Sequence, residues 1–206
     1  MVVISLKEKA FRQIRDEIVN NKLTPGQPLK ERDLAKELNV STTPIREALQ
    51  LLWKEGFVEI FPNKGCFVSQ LRNNDIHEIM ELRYALEPIA ASDAALKYIP
   101  EALNAFEIKY ESLIDEDFNE AGNYFHRFLV ESTKKQKLID IISNLSFHIN
   151  RLNIYYLGQS PQGFRDQVLT EHQAILDAVR DRNSKQAEKE MRRHIGNYWK
   201  RLKKVF

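Results

Sequence analysis

The run Val40-Ser-Thr-Thr-Pro-Ile-Arg-Glu-Ala-Leu-Gln-Leu-Leu-Trp-Lys-Glu-Gly-Phe57 decides how the first third of the chain folds. A hydroxyl residue at Thr43 followed by Pro44 is the chemistry of a helix start, since proline presets φ and lacks an N–H where no intrahelical acceptor exists. Gly56 ends the same helix. With Ile45 at zero on a 100° wheel, Leu49 falls at about 40°, Leu52 at about 340° and Ala48 at about 300°, one apolar stripe. Arg46, Gln50, Thr43 and Glu47 fall at roughly 100–200°, on one polar face. Such a helix packs with one side and offers the other to a groove.

The flanks complete the motif. Upstream, Leu6, Ala10, Ile14 and Ile18 recur every four residues and give a helix that ends before Thr24-Pro25-Gly26. A second helix is expected over 31–38, with Leu34, Ala35 and Leu38 inward, and Asn39-Val40 turns the chain. Downstream, Phe57–Phe61 and Cys66–Gln70 are rich in strand formers and are separated by Pro62-Asn63-Lys64-Gly65, which reads as a hairpin. Helix, helix, turn, helix, hairpin is a winged helix-turn-helix. In that arrangement the start of the third helix meets base edges, and hydroxyls beside it hold phosphates. Arg46 is the candidate for a bidentate contact to guanine, with Gln50 on the same face; Ser41, Thr42 and Thr43 suit phosphate; Arg32 reaches the backbone or a base. Lys64 and Gly65 lie at the hairpin tip, where a wing touches the minor groove or its phosphates. The alternative is that Arg46 and Glu47 only solvate an amphipathic helix.

Past residue 70 the turn residues thin out and long periodic stretches take over, at about 74–98, 101–114, 118–134, 137–157, 163–180 and 184–204. Asn74 or Asp75 with Glu78 reads as the first helix start, Pro88 as a kink and Pro100 as the opening of the next helix. The expected molecule is mainly α: a winged helix-turn-helix of three helices plus a β-hairpin over 1–70, then an antiparallel all-α bundle of six to seven helices over 71–206.

Of 206 residues, 43% are hydrophobic and 29% charged, which excludes a disordered chain. The lone Cys66 forms no internal disulfide, and no apolar run is long enough for a membrane span, so a soluble cytoplasmic protein is expected. With 31 Lys and Arg against 29 Asp and Glu, the whole chain shows no sign of a polyanion ligand. Divided at residue 70, the balance is 11 against 9 in the first part and 20 against 20 in the second. The small excess therefore lies entirely in the candidate DNA-binding part, which predicts few phosphate contacts and a shallow salt dependence.

Five histidines fall at 77, 126, 148, 172 and 194. If the last two helices form an antiparallel hairpin about residue 182 or 183, His172 and His194 lie at the same level. Neutral imidazoles on facing bundle helices suit Zn²⁺, Ni²⁺ or a similar metal. The competing reading is an ordinary buried, hydrogen-bonded histidine. His77 reads as a surface residue, and the phase of His148 leaves its direction open.

These motifs resemble a known family. Leu23-Thr-Pro-Gly-Gln-Pro-Leu29, Glu31-Arg-Asp-Leu-Ala35, Val40 to Leu49, Glu55-Gly-Phe57 and Gly65-Cys-Phe-Val68 look like the DNA-binding domain of GntR-family transcriptional regulators. The resemblance implies operator contacts from Arg32, Ser41, Thr43, Arg46 and Gly65; many members carry arginine where this chain has Thr42. Glu81-Leu-Arg83 with Leu86-Glu87, Phe125-His126 with Leu129, and Glu171 to Val179 continuing to Met191-Arg-Arg-His194 look like the all-helical ligand (FCD) domain of the FadR subfamily. In its metal-binding branch, an aspartate and three histidines hold the metal; His126, His172 and His194 match the histidines. Gly122 stands where the aspartate belongs, and Asn123 is a possible substitute. Arg83 and Arg151 are candidate partners for the carboxylate of a small organic acid, or else bundle salt bridges.

The expected function is a DNA-binding regulator, most often a repressor in this family, acting as a homodimer on a palindromic operator and modulated by a small organic acid and/or a metal. It is not expected to be an enzyme or to meet a membrane. A metal-dependent hydrolase or lyase using the three histidines, and an acyl-CoA-responsive regulator, are the alternatives.

Overall fold

The computed structural model describes residues 5–156 and 162–204. The chain packs as two compact units, residues 1–72 and 73–206.

The first unit holds helices α1 (Leu6–Val19), α2 (Glu31–Glu37) and α3 (Thr42–Lys54), with strands β1 (Pro28–Leu29), β2 (Val58–Phe61) and β3 (Gly65–Val68). The sheet is antiparallel, ordered β1-β3-β2, with Val58 opposite Val68 and Leu29 opposite Cys66. The hairpin expected from sequence is β2–β3. Strand β1 has no counterpart in the sequence reading: two residues, one a proline, carry no alternation to read, and only the free edge of β3 recruits them. Asn63 (φ 62) and Gly65 (φ 105) supply the left-handed backbone that turns the hairpin.

Helix α3 buries Ile45, Ala48, Leu49 and Leu52, the stripe given by the wheel. Its start differs. Ser41, not Thr43, is the residue at the cap, with extended backbone, so Thr42 is the first helical residue and Pro44 the third. Proline is tolerated there because the first amides of a helix have no intrahelical acceptor and the carbonyl its ring would strike, that of Val40, lies outside the helix. Helix α1 packs on α3 through Ala10, Phe11, Ile14 and Ile18, whereas Leu6 is 57% exposed, one turn ahead of the first buried position.

The second unit comprises α4 (Asn73–Leu96), α5 (Pro100–Glu116), α6 (Phe118–Ser132), α7 (Gln136–Tyr156), α8 (Gln162–Arg180) and α9 (Ser184–Leu202). Leu157, the expected end of the fourth stretch, lies outside the described residues. Pro100 occupies the first turn of α5, and α4 runs on through Pro88 to Leu96. Asp117 caps α6 by accepting from the amides of Asn119 and Glu120 at 3.0 and 3.1 Å; Asn183 caps α9 through the Gln186 amide at 3.1 Å. The inward stripe of α4 is Ile76, Met80, Arg83, Glu87, Ala90, Ala91, Ala94 and Ala95. Two charged residues thus occupy core positions of the bundle. No helix among the described residues is long and apolar enough to cross a membrane.

Leu52 is fully buried on α3, the helix that packs on α1, α2 and β2. Leu52→Ala is expected to destabilise the first unit by about 2–5 kcal/mol. Trp53 and Trp199 are the chain's two tryptophans. Urea unfolding of a Trp199→Phe background, read by Trp53 fluorescence, measures the effect on that unit alone.

Candidate metal centre and nucleic-acid interface

Helices α6, α8 and α9 bring His126, His172 and His194 together: one ring nitrogen from each lies within 4.8 Å of the other two. Each histidine falls on its helix's inward stripe, so the spacing that builds the core also builds the cluster. His172 is 2% and His194 3% exposed. The His172 ring stacks on Phe125, with centroids 3.7 Å apart and planes 3° from parallel, which sets its orientation.

On every ring the Nδ1 atom faces a group from outside the cluster, with a hydrogen bond at His172 and His194 and a close ion-pair contact at His126. Glu87 Oε2 lies 2.6 Å from His126 Nδ1, the Tyr110 hydroxyl 2.5 Å from His172 Nδ1, and Glu171 Oε2 2.8 Å from His194 Nδ1. Carboxylates accept only, so His194 carries its proton on Nδ1; at His126 the donor Arg83 Nη2 lies 3.3 Å from Nε2, which leaves the proton of the neutral ring on Nδ1 toward Glu87, and both Nε2 atoms turn inward. Those two Nε2 atoms stand 3.3 Å apart. The Nε2 of His172 is buried with no hydrogen-bond partner among the described residues. Three converging imidazole nitrogens, two of them on fully buried rings, whose opposite edges face Glu87, Tyr110 and Glu171 fit a divalent metal.

The supporting groups are held in turn. Asn197 Nδ2 donates to Glu171 at 2.8 Å and both Arg201 Nη groups donate to it at 3.1 Å. Arg83 Nε donates to Glu87, and Arg83 Nη2 lies 3.3 Å from His126 Nε2. Burial works to raise the Glu87 carboxyl pKa, but the Arg83 charge, with the polar contacts from His126 and Arg83, overcomes it and holds it well below the usual carboxylate range. The same contest, won by His194, Arg201 and Asn197, holds Glu171 at about 2. Burial, together with the neighbouring cations, pushes His172 well below its ordinary value and His194 down to about 4 despite Glu171. Burial also pushes the Tyr110 phenol up, keeping it neutral.

Beside the cluster is a cavity of about 60 Å³ whose lining includes Arg83, Gly122, Asn123, His126, His172 and His194. Gly122 faces open space: a Cβ there would meet nothing within 4 Å. Arg151 is buried but does not line this cavity, because it stands about 200° around α7 from the lining residues Ile149 and Asn153. His148 does not line it either, and His77 is a surface residue edge-on to Trp199. Sequence reasoning gave Glu87 and Glu171 only as parts of motifs and did not give Tyr110 at all. The signal for Glu87 was available: it lies four residues from Arg83, on the same helical face.

In the first unit, Arg32, Ser41, Thr43, Arg46, Gln50, Lys64 and Gly65 are exposed and Thr42 half-buried. Arg46 is not free. Its Nε donates to Glu31 Oε1 at 3.0 Å and its Nη2 to Oε2 at 2.8 Å. The pairing holds the Glu31 carboxyl below the usual range. Its partners lie 15 residues apart, beyond the reach of helical periodicity.

The sequence pattern of bacterial regulatory proteins of the gntR family matches residues 6–68, and that of the FCD domain matches residues 78–197. The chain belongs to the GntR family. It is a transcriptional regulator of that family with an FCD domain. It is 30% identical over 196 residues to a probable D-xylose utilization operon transcriptional repressor of Paenarthrobacter nicotinovorans, covering 90% of this chain and 85% of that one. It is 26% identical over 197 residues to the HTH-type transcriptional repressor RspR of Escherichia coli, covering 92% and 86%. In fold it is similar to E. coli McbR/YncC, with a TM-score of 0.83 at 20% identity over 98% of this chain and 99% of that one. A putative GntR regulator from Rhodococcus sp. RHA1 gives a TM-score of 0.78 at 22% identity, over 97% and 98%.

Removing the Glu87 charge leaves Arg83 buried and uncompensated. Glu87→Gln is expected to cost about 3–5 kcal/mol of stability, and Arg83→Met with Glu87→Leu to recover most of it. Chemical denaturation followed by the Trp199 signal in a Trp53→Phe background checks both.

Proposed function

We propose that this GntR-family regulator is a repressor that binds a palindromic operator as a homodimer, with its DNA affinity set by a divalent transition metal and a small carboxylate in the FCD domain. The observation that carries the ligand half is the inward convergence of three imidazole nitrogens whose Nδ1 edges face Glu87, Tyr110 and Glu171. His126, His172 and His194 would hold the metal, with Zn²⁺ or Ni²⁺ the best match to an all-nitrogen set. When bound, the metal supplies a Lewis-acidic point for a carboxylate oxygen. His172 and His194 are already neutral at pH 7, so they offer lone pairs without releasing protons. Asn123, whose side chain donates weakly to Glu120 at 3.5 Å, is the possible fourth protein ligand. Arg83 reaches the same cavity as a cation for an organic acid; Arg151 is buried and is not among the residues lining that cavity.

For DNA, Arg46 and Gln50 face the major groove, Arg32, Ser41, Thr42 and Thr43 the backbone beside it, and Lys64 and Gly65 the minor groove. The homodimer is supported by an apolar row on the outer face of α4: Leu82, Ile89 and Leu96, seven residues apart, are 47%, 44% and 62% exposed.

The two alternatives have less support. A cavity of about 60 Å³ is too small for an acyl-CoA. A hydrolase needs a free general base, and both carboxylates at the cluster are committed to histidine and arginine. A turnover screen with added Zn²⁺ that found hydrolysis lost in His172→Ala would favour that reading instead.

Protein purified without chelator is expected to carry about one metal per chain by elemental analysis. Sub-stoichiometric metal that added Zn²⁺ or Ni²⁺ does not restore would contradict the proposal. Gly122→Asp places a carboxylate in the open space and is expected to tighten Zn²⁺ binding about tenfold or more in a chelator competition. Footprinting on the promoter beside the protein's own gene is expected to show a protected inverted repeat. The slope of log K against log salt should have a magnitude under about 5.

A further inference from the structure

The Glu31–Arg46 pair forms on the surface that faces DNA, and the way it is built decides what it does. An exposed ion pair contributes little stability, because water screens it and ordering two side chains costs entropy. Glu31 is the first residue of α2, where a carboxylate is favoured by the unpaired amides of the helix start, so a negative charge suits this place whether or not Arg46 is paired with it. It accepts the Nε and Nη2 edge of the guanidinium. Guanidinium has five N–H donors in a rigid plane, and this fork uses two. The three that remain lie on the Nη1 and Nη2 end, which is the edge that matches O6 and N7 of guanine. The fork therefore leaves the reading edge open and biases the side chain toward one orientation before DNA arrives.

We infer that Glu31 is a positioning residue for base recognition: it holds Arg46 by one edge so that the opposite edge reads guanine, and its negative charge repels phosphate from a side chain that would otherwise serve as a general anchor. A flexible arginine or lysine at this place gains energy from any phosphate, whereas a planar fork held at its rear does so only from a correctly placed base edge. The mechanism raises discrimination rather than affinity. It also accords with the low positive charge of residues 1–70, where 9 acidic side chains stand against 11 basic ones. The inference rests on the reading of Arg46 as a base-contacting residue.

The test uses the full chain with a randomised duplex library, selecting bound sequences for wild type, Glu31→Gln, Arg46→Ala and Arg46→Lys, and measuring affinity for the selected site and for a scrambled duplex. Glu31→Gln keeps the size of the side chain at a half-buried position, and a thermal melt confirms that it folds. Arg46→Ala and Arg46→Lys are both expected to relax the selection at one position per half-site by about tenfold or more. Glu31→Gln is expected to relax that same position by about three- to tenfold and to strengthen binding to the scrambled duplex. If Arg46→Ala relaxes the position while Glu31→Gln leaves it unchanged or sharpens it, Glu31 is a competitor or a bystander and the inference fails by itself. If Arg46→Ala leaves the selection unchanged, the reading of Arg46 fails and takes the inference with it.

Discussion

Two imidazole nitrogens, Nε2 of His126 and Nε2 of His194, face each other at 3.3 Å inside the helical unit, each with its own Nδ1 turned to a carboxylate. The rest of that unit follows from this arrangement. Two lone pairs at such a distance repel unless a proton or a cation answers them; Arg83 Nη2 lies 3.3 Å from His126 Nε2, and burial resists a proton on His194. The carboxylates that impose the tautomers are themselves buried charges, so each needs a partner. Arg83 answers Glu87 from one turn earlier on α4, and Arg201 answers Glu171 from α9. The core of the bundle therefore contains ions where apolar side chains would pack more simply. Such a network is weak support for stability and strong support for a site that holds something.

The same network ties the cluster to α4, the helix that follows the first unit in sequence. His126 touches α4 through both Glu87 and Arg83. Any ligand that changes how His126 Nε2 is engaged changes what Arg83 can contact, and Arg83 is a core residue of α4, so the difference is felt along the helix rather than at a loose surface side chain. On the proposed reading, that is how a ligand would bias α4, the helix that follows the DNA-binding unit in sequence.

How much of this was legible in the sequence varied with the kind of signal. The buried stripe of α3 and the hairpin after it were legible because each is written in local periodicity and turn chemistry. The cap of α3 was misplaced by two residues because Thr43-Pro44 looks like a start, and nothing local tells proline at the first helical position from proline at the third. Strand β1 was invisible, since two residues pair only because β3 offers an edge. The level of His172 and His194 could be counted from the turn between α8 and α9, and the family resemblance added His126. What no pattern shows is where a ring's second nitrogen goes. Tyr110, 62 residues from His172, and Glu31, 15 from Arg46, become partners only when helices pack. Arg151 was placed by chemistry without helical phase, and phase puts it off the cavity wall.

The central claim is that the three histidines form one metal site, and the most direct measurement is anomalous diffraction at the zinc edge from crystals of the full chain grown with Zn²⁺. The account predicts a single strong peak per chain bounded by His126, His172 and His194, absent in His172→Ala. Zinc bound only elsewhere, or a triad that remains without a peak in saturating Zn²⁺, would contradict it.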